Sequence, residues 1–197
     1  MKLFLAALLG ALAMFVWEFV AHMFTPLGEA GIHYMPKPEA VSSSLQSAIG
    51  DKAGMYMFPT GGMTDNSSKE EKTKGMERMM EEMKTKPSGL LVYKPAGTVF
   101  NFGKSLAVQF LTDFVKALLA AWLLTQTRLI TFGSRVGFVV AAGLLAAITT
   151  TIPHWNWYSF DGAFTMANVF MDIAGFFFAG LAIAAVLKRA PAVTTAP

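Results

Sequence analysis

The chain of 197 residues has no cysteine, which excludes a disulfide framework, a thiolate metal site and an iron–sulfur cluster. Charged residues are also scarce: Asp, Glu, Lys and Arg make up 15% of the chain, against about 25% in an ordinary soluble domain. The formal net charge of +3 does not indicate a nucleic-acid partner, because the basic residues sit at the ends of apolar runs or alternate with acidic ones. Nucleophile elbows, phosphate-binding loops, dinucleotide fingerprints and zinc-protease motifs are all missing. We therefore predict no catalytic residues, and the sequence favours a protein that is not an enzyme.

What the chain has in abundance is apolar sequence. Hydrophobic residues make up 54% of the chain, and its mean hydropathy is +0.46. Four runs, at residues 3–25, 104–126, 132–153 and 163–187, are long enough to cross a hydrocarbon core as helices, which takes roughly 20 residues. The first run is longer than the apolar part of a signal peptide and lacks a clear cleavage site, so we expect it to be retained. The predicted fold class is an all-α membrane protein, a four-transmembrane-helix bundle embedded in a lipid bilayer.

Residues 26–103, between the first two spans, predict a small α+β cap outside the membrane. Residues 38–49 have proline in the first turn and a glycine stop, which predicts a short helix. Residues 55–58 and 90–93 are strand-like runs that we expect to pair as a β-hairpin. Between them, Ser67 and Glu70 have the spacing of a capping box at the start of an amphipathic helix.

That amphipathic helix carries a methionine stripe at i, i+3, i+4 and i+7, formed by Met76, Met79, Met80 and Met83. Methionine side chains adapt to irregular apolar surfaces, so the stripe predicts packing against the cap, lipid or a partner. Thioether sulfur is also a soft ligand, and a Cu(I) site is the alternative.

Basic residues flank the short segments on one side of the predicted membrane: Lys2, Arg128, Arg135, Lys188 and Arg189. The turn predicted after the third span, near residues 153–162, is rich in Trp and Tyr and has no Lys or Arg. Cytoplasmic segments carry the excess of positive charge, and aromatic residues settle at the membrane boundary. We therefore expect both termini in the cytoplasm and residues 26–103 in the periplasm of a bacterium. Spans two to four would occupy residues 104–189, and residues 190–197 would form a cytoplasmic tail.

The spans carry polar residues that predict a buried network in the outer half of the bundle: Glu18, Gln109, Asp113, Lys116, Asn168 and Asp172. Charged side chains at membrane depth are costly and usually face other protein. Gln109, Asp113 and Lys116 fall at i, i+4 and i+7 and share one helix face. Such a network either fixes helix register through interhelical bonds or forms a proton path or ligand pocket.

Metal binding is a further hypothesis for the same region. Glu18 and His22 at i, i+4, with His154 and Asp172, would supply nitrogen and oxygen ligands suited to zinc, iron or copper. His22 and His154 as axial ligands of a haem form a variant, although the chain lacks a covalent attachment motif.

Several stretches resemble a family of small uncharacterised bacterial inner-membrane proteins: FVWEFVAHMFTPLGEAGI, GMYMFP, GKSLAVQFLTDFVKALLAAWLL and IPHWNWYSF. The resemblance covers nearly the whole chain except the Met-rich insert. It implies four helices with a cap after the first and a bacterial inner membrane, and it transfers no catalytic residues.

These observations lead to three functional hypotheses. The first is an integral membrane subunit or scaffold of a larger inner-membrane assembly, with other membrane subunits or a second copy as partner. The second is a membrane redox or metal-binding protein that holds haem, copper or iron. The third is a conduit for protons or a small solute.

Overall fold

The computed structural model describes residues 1–188 and is mostly helical. Four helices are as long as expected for membrane spans: α1 (Lys2–Phe24), α4 (Phe102–Thr125), α5 (Phe132–Tyr158) and α6 (Gly162–Val186). Between α1 and α4 lie a 3₁₀ turn (Pro26–Glu29), α2 (Pro38–Ile49), β1 (Gly54–Phe58), α3 (Lys69–Glu82) and β2 (Gly89–Tyr93). By length and apolar composition the four long helices of the described part could each cross a membrane, which supports a multi-pass membrane protein. The predicted tail at 190–197, together with Arg189, lies outside the described residues.

The chain forms two compact units, Met1–His33 with the segment from Asn101 onward, and Tyr34–Phe100. In the first unit, small residues let the helices approach closely. A Cβ added to Gly10 of α1 would lie 3.0 Å from Ile183 of α6 and 3.3 Å from Ala117 of α4. Ala6, four residues before Gly10, is fully buried, and this small-residue spacing suits close helix packing. Gly10 therefore lies where three helices meet.

The helices are arranged in the order α4–α1–α6–α5. Helix α1 packs against both α4 and α6, and α6 also packs against α5, where Gly143 leaves room for the Phe176 side chain. Helices α4 and α5, although consecutive in the chain, make few contacts with each other. The α4–α5 side of the bundle is thus only weakly closed by this chain.

The predicted aromatic turn near residues 153–162 is wrong, because α5 continues through Pro153 to Tyr158. Proline removes one helix hydrogen bond, but membrane helices tolerate it when the freed carbonyl finds another partner. The helix ends at Ser159, whose φ of 56° and ψ of 35° are left-handed. Asp161 then begins α6 by accepting from the backbone N–H groups of Ala163 and Phe164 at 2.7 and 3.1 Å.

The second unit contains the predicted two-stranded sheet. Strands β1 and β2 are antiparallel, with Gly54 opposite Tyr93 and Phe58 opposite Gly89. Helix α2 has the predicted bounds and ends at Gly50, whose φ of 73° suits glycine. The buried Tyr93 hydroxyl lies within hydrogen-bond distance of Gln46 in α2 and of the Gly50 carbonyl, so it ties α2 to the sheet.

The start of α3 is displaced by one residue from the prediction. Ser68 and Glu71 form the capping box, while the Ser67 hydroxyl accepts from the Thr64 N–H at 3.0 Å. Ser67 and Glu70, and Ser68 and Glu71, both have the Ser-x-x-Glu spacing, so the sequence alone allows either register. The contact with Thr64 occupies Ser67 and leaves Ser68 to cap the helix. Helix α3 is also fixed to the loop that precedes it, because Arg78 Nε donates to the Gly61 carbonyl at 2.8 Å.

Candidate functional site

Four of the six residues of the predicted polar network meet between α1 and α4. Lys116 Nζ lies 2.7 Å from Asp113 Oδ1 and 3.3 Å from Glu18 Oε1. Gln109 Nε2 donates to Glu18 Oε2 at 2.5 Å and to Asp113 Oδ1 at 3.2 Å. Both donors therefore bridge the same two carboxylates, one on each helix. The i, i+4, i+7 spacing puts the three α4 side chains on one face, where Gln109 and Lys116 contact Glu18 and both also contact Asp113.

The burial of these groups is uneven. Asp113 is fully buried, and within residues 1–188 its Oδ2 atom has no hydrogen-bond partner. The side chains of Glu18 and Lys116 remain 17% and 28% exposed. If all were ionised, two carboxylates would face one ammonium, and the network would carry one net negative charge. One carboxylate of the network would then lack a cation of its own, and a bound cation or a further hydrogen-bond donor would compensate it.

A groove of about 220 Å³ opens beside the network between α1 and α4. Its polar lining comes from Glu18, His22 and Gln109, and aromatic and aliphatic side chains such as Phe15 and Leu106 form the rest. The groove thus places the exposed edge of the network next to an apolar surface.

The other two predicted network residues lie on α6. Asn168 Nδ2 donates to the Phe164 carbonyl of its own helix at 2.8 Å. Asp172 is half-buried and interacts electrostatically with Lys116 and Asp113. The structure therefore adds Asp172 to the field around the network, while Asn168 bonds within its own helix.

The structure does not bring the hypothetical metal ligands together. Among the described residues, no group of three His, Asp or Glu side chains could hold a metal ion. His22 is exposed and packs against the backbone at Gly28. His154 is also exposed and stacks on Phe160 at 5.2 Å between ring centroids. The set of Glu18, His22, His154 and Asp172 was built from helix depth, and depth does not fix the direction in which a side chain points.

The methionine stripe on α3 forms an open apolar surface. Met76, Met80 and Met83 are 48%, 55% and 47% exposed, and Met79 is partly buried. These exposed side chains are accessible to a partner or to lipid, the first interpretation of the stripe, and equally to a Cu(I) ion, the alternative.

Two polar residues of the spans were missed as interhelical contacts. Trp17 Nε1 donates to the Met171 carbonyl of α6 at 2.9 Å. Arg135, which the sequence used only to set orientation, is 4% exposed, and its Nη1 donates to the Leu187 carbonyl. An indole N–H needs a partner inside a membrane, which was the available signal for Trp17. Nothing in the sequence indicated that Arg135 turns inward.

The network can cross-link two helices, retain a proton or bind a cation or polar group from the groove. No family model, curated protein or solved structure gives a significant match to this chain. The case for a function therefore depends on the network, the groove and the uncovered surfaces.

Proposed function

We propose that this protein is an integral membrane subunit of a larger assembly, in which a partner helix covers the groove between α1 and α4. The proposal is carried by the exposure of charged atoms within the spans, at 17% for the Glu18 side chain and 28% for Lys116. A charged side chain at the centre of a membrane helix costs roughly 2.5–3.5 kcal/mol, so such residues face protein or a water-filled cavity. A helix from another subunit or a second copy would remove these groups from lipid.

The depth of Lys116 strengthens this argument. At 1.5 Å per residue, it lies roughly 14 Å from the nearer end of α4. A lysine near a helix end can extend its ammonium to the headgroups, but one at this depth cannot. The Lys116 ammonium already pairs with Asp113 and Glu18, and a further protein surface would cover the 28% of the side chain that stays exposed. Because α4 makes few contacts with α5, α4 also has helix surface available for that partner.

The proposed setting is the bacterial inner membrane, with the N-terminus and the end of α6 in the cytoplasm and residues 26–103 in the periplasm. The positive charges at Lys2, Arg128 and Lys188 support this orientation. The exposed methionines of α3 would then face the periplasm and offer a second contact to the assembly.

Site-directed spin labelling in native membranes tests the proposal, since the chain has no cysteine to remove. A label at Leu106→Cys lies in the groove, and a label at Leu145→Cys on α5 is the control, because Leu145 is 68% exposed. We expect position 106 to be shielded from both oxygen and a water-soluble nickel complex, and position 145 to be open to oxygen. High oxygen accessibility at both positions would mean that lipid fills the groove, and the proposal would be wrong.

Accessibility of position 106 to nickel would favour the second candidate, a conduit for protons or a small solute. Two observations support it: the groove is lined by Glu18 and His22, and Gln109 in its lining contacts Asp113, whose Oδ2 atom has no hydrogen-bond partner among the described residues. Asp113→Asn would then abolish proton or solute flux in reconstituted vesicles while leaving assembly intact. If the same change prevents assembly and no flux is measured in the wild type, the network is structural. Among residues 1–188, no group of three His, Asp or Glu side chains could hold a metal ion, so no ligand set of that kind supports a metal-binding role.

A further inference from the structure

A second pocket, of about 170 Å³, lies at the opposite end of the four-helix unit from the groove. It is formed where α4 and α6 end and where α1 and α5 begin. Three cationic residues line it, Lys2, Arg135 and Lys188, together with leucines from α4, α6 and the α4–α5 connection. The described residues contribute no carboxylate to this lining.

Arg135 is a buried cation in the wall of this pocket. It is 4% exposed, so its guanidinium is held by the protein and is not merely a surface charge. One guanidinium nitrogen, Nη1, donates to the Leu187 carbonyl at the end of α6. The Nε atom is buried and has no hydrogen-bond partner among the described residues. A buried N–H without an acceptor is costly, and a bound anion would supply one.

The surroundings select the kind of anion. Guanidinium groups bind phosphate through parallel N–H···O bonds, and lysines add charge without fixed geometry. The starts of α1 and α5 and the ends of α4 and α6 meet at this pocket, so their helix dipoles largely cancel, and the attraction for an anion comes from the three cationic side chains. Basic pockets between membrane helices at the level of the headgroups are suited to anionic lipids.

We propose that Arg135, Lys2 and Lys188 form a binding site for a phosphate group, carried by an anionic phospholipid or by a small phosphorylated solute. The leucine lining would contact the upper acyl chain or the apolar part of the bound molecule. The site is separate from the proposed partner groove, and it does not depend on the function assigned to that groove.

The test uses the purified full chain in phosphatidylcholine nanodiscs. Spin-labelled phosphatidylglycerol and phosphatidylcholine report the preference for anionic lipid, and inorganic phosphate is added as competitor in a separate arm. We expect a preference for phosphatidylglycerol that falls about fivefold in Lys188→Gln and at least as much in Arg135→Gln, since each surface cation contributes about that factor. Lys104→Gln, at the far end of α4, is the matched control and should leave the preference unchanged.

Each outcome decides the proposal. Preference for phosphatidylglycerol that resists inorganic phosphate assigns the site to lipid, and displacement by phosphate assigns it to a soluble phosphorylated ligand. Equal retention of both lipids, together with a melting temperature of the protein that does not change when inorganic phosphate is added, would overturn it. An equal loss in Lys104→Gln and Lys188→Gln would also overturn it, because general surface charge would then explain the preference. Lys188→Gln keeps the test valid if Arg135→Gln fails to fold.

Discussion

Removal of the Glu18 carboxylate should loosen α4 from α1. Glu18 accepts from Gln109 at 2.5 Å and from Lys116 at 3.3 Å, and both of these bonds join the two helices. Interhelical polar bonds in membranes contribute on average about 0.6 kcal/mol each and at most about 1.7. Glu18→Ala should therefore lower the free energy of unfolding by about 1–3 kcal/mol.

The lower half of that range is the better expectation. After Glu18→Ala, Lys116 keeps its 2.7 Å contact with Asp113, so no isolated charge is left. The change also removes one of two neighbouring carboxylates, which offsets part of the loss. Glu18→Gln keeps an acceptor for Lys116 and should cost less than Glu18→Ala.

Unfolding in increasing mole fractions of sodium dodecyl sulfate, followed by helical circular dichroism, measures these differences. Thr112→Val on α4 is the control, because the Thr112 hydroxyl donates to a carbonyl of its own helix at 2.8 Å. We expect this control to stay within about 0.5 kcal/mol of the wild type. If Glu18→Ala costs no more than Thr112→Val, the network does not hold α1 to α4. A double-mutant cycle of Glu18→Ala with Lys116→Met should also give a coupling energy different from zero.

Three further predictions follow from other contacts. Gly143→Ala should destabilise the protein by about 1–3 kcal/mol, because its methyl group would overlap Phe176. Gly137→Ala on the same helix is the control: its methyl group meets open space, so it should be neutral or stabilising in the same unfolding assay. Trp17→Phe removes the interhelical indole bond and should cost roughly 0.6–1.7 kcal/mol in that assay; an unchanged midpoint would contradict this. The Ser68 N–H donates to the Glu71 carboxylate and lowers its pKa below the ordinary value of 4.5. The Ser68 N–H bond should therefore contribute fully to amide protection in the first turn of α3 above pH 4.5 and be lost as the pH falls through the lowered pKa. Glu71→Gln should abolish that dependence.

The spans and the α4 side of the network could be predicted from sequence because both depend on local periodicity. Twenty apolar residues define a span, and the i, i+4, i+7 spacing puts Gln109, Asp113 and Lys116 on one face whatever the neighbouring helices do. The end of α5 could not be predicted in the same way, since Pro153 usually marks a helix boundary and here the helix continues. The choice of partner helix was also out of reach, because residues at equal depth on different helices need not face each other. Asn168 illustrates this, since its side chain donates to the Phe164 carbonyl of its own helix.

Adjacent residues of α1 explain why this helix lies between two others. Consecutive residues on an α-helix point about 100° apart, at 3.6 residues per turn. Trp17 donates to the backbone of α6, and Glu18 accepts from side chains of α4. Polar bonds therefore hold α1 on two sides. About two turns earlier in α1, Gly10 allows close packing against the same two helices. Because the two bonds go to different helices, Trp17→Phe should weaken the contact of α1 with α6, and Glu18→Ala should weaken its contact with α4. Their effects on stability should then add, whereas those of Glu18→Ala and Lys116→Met should not.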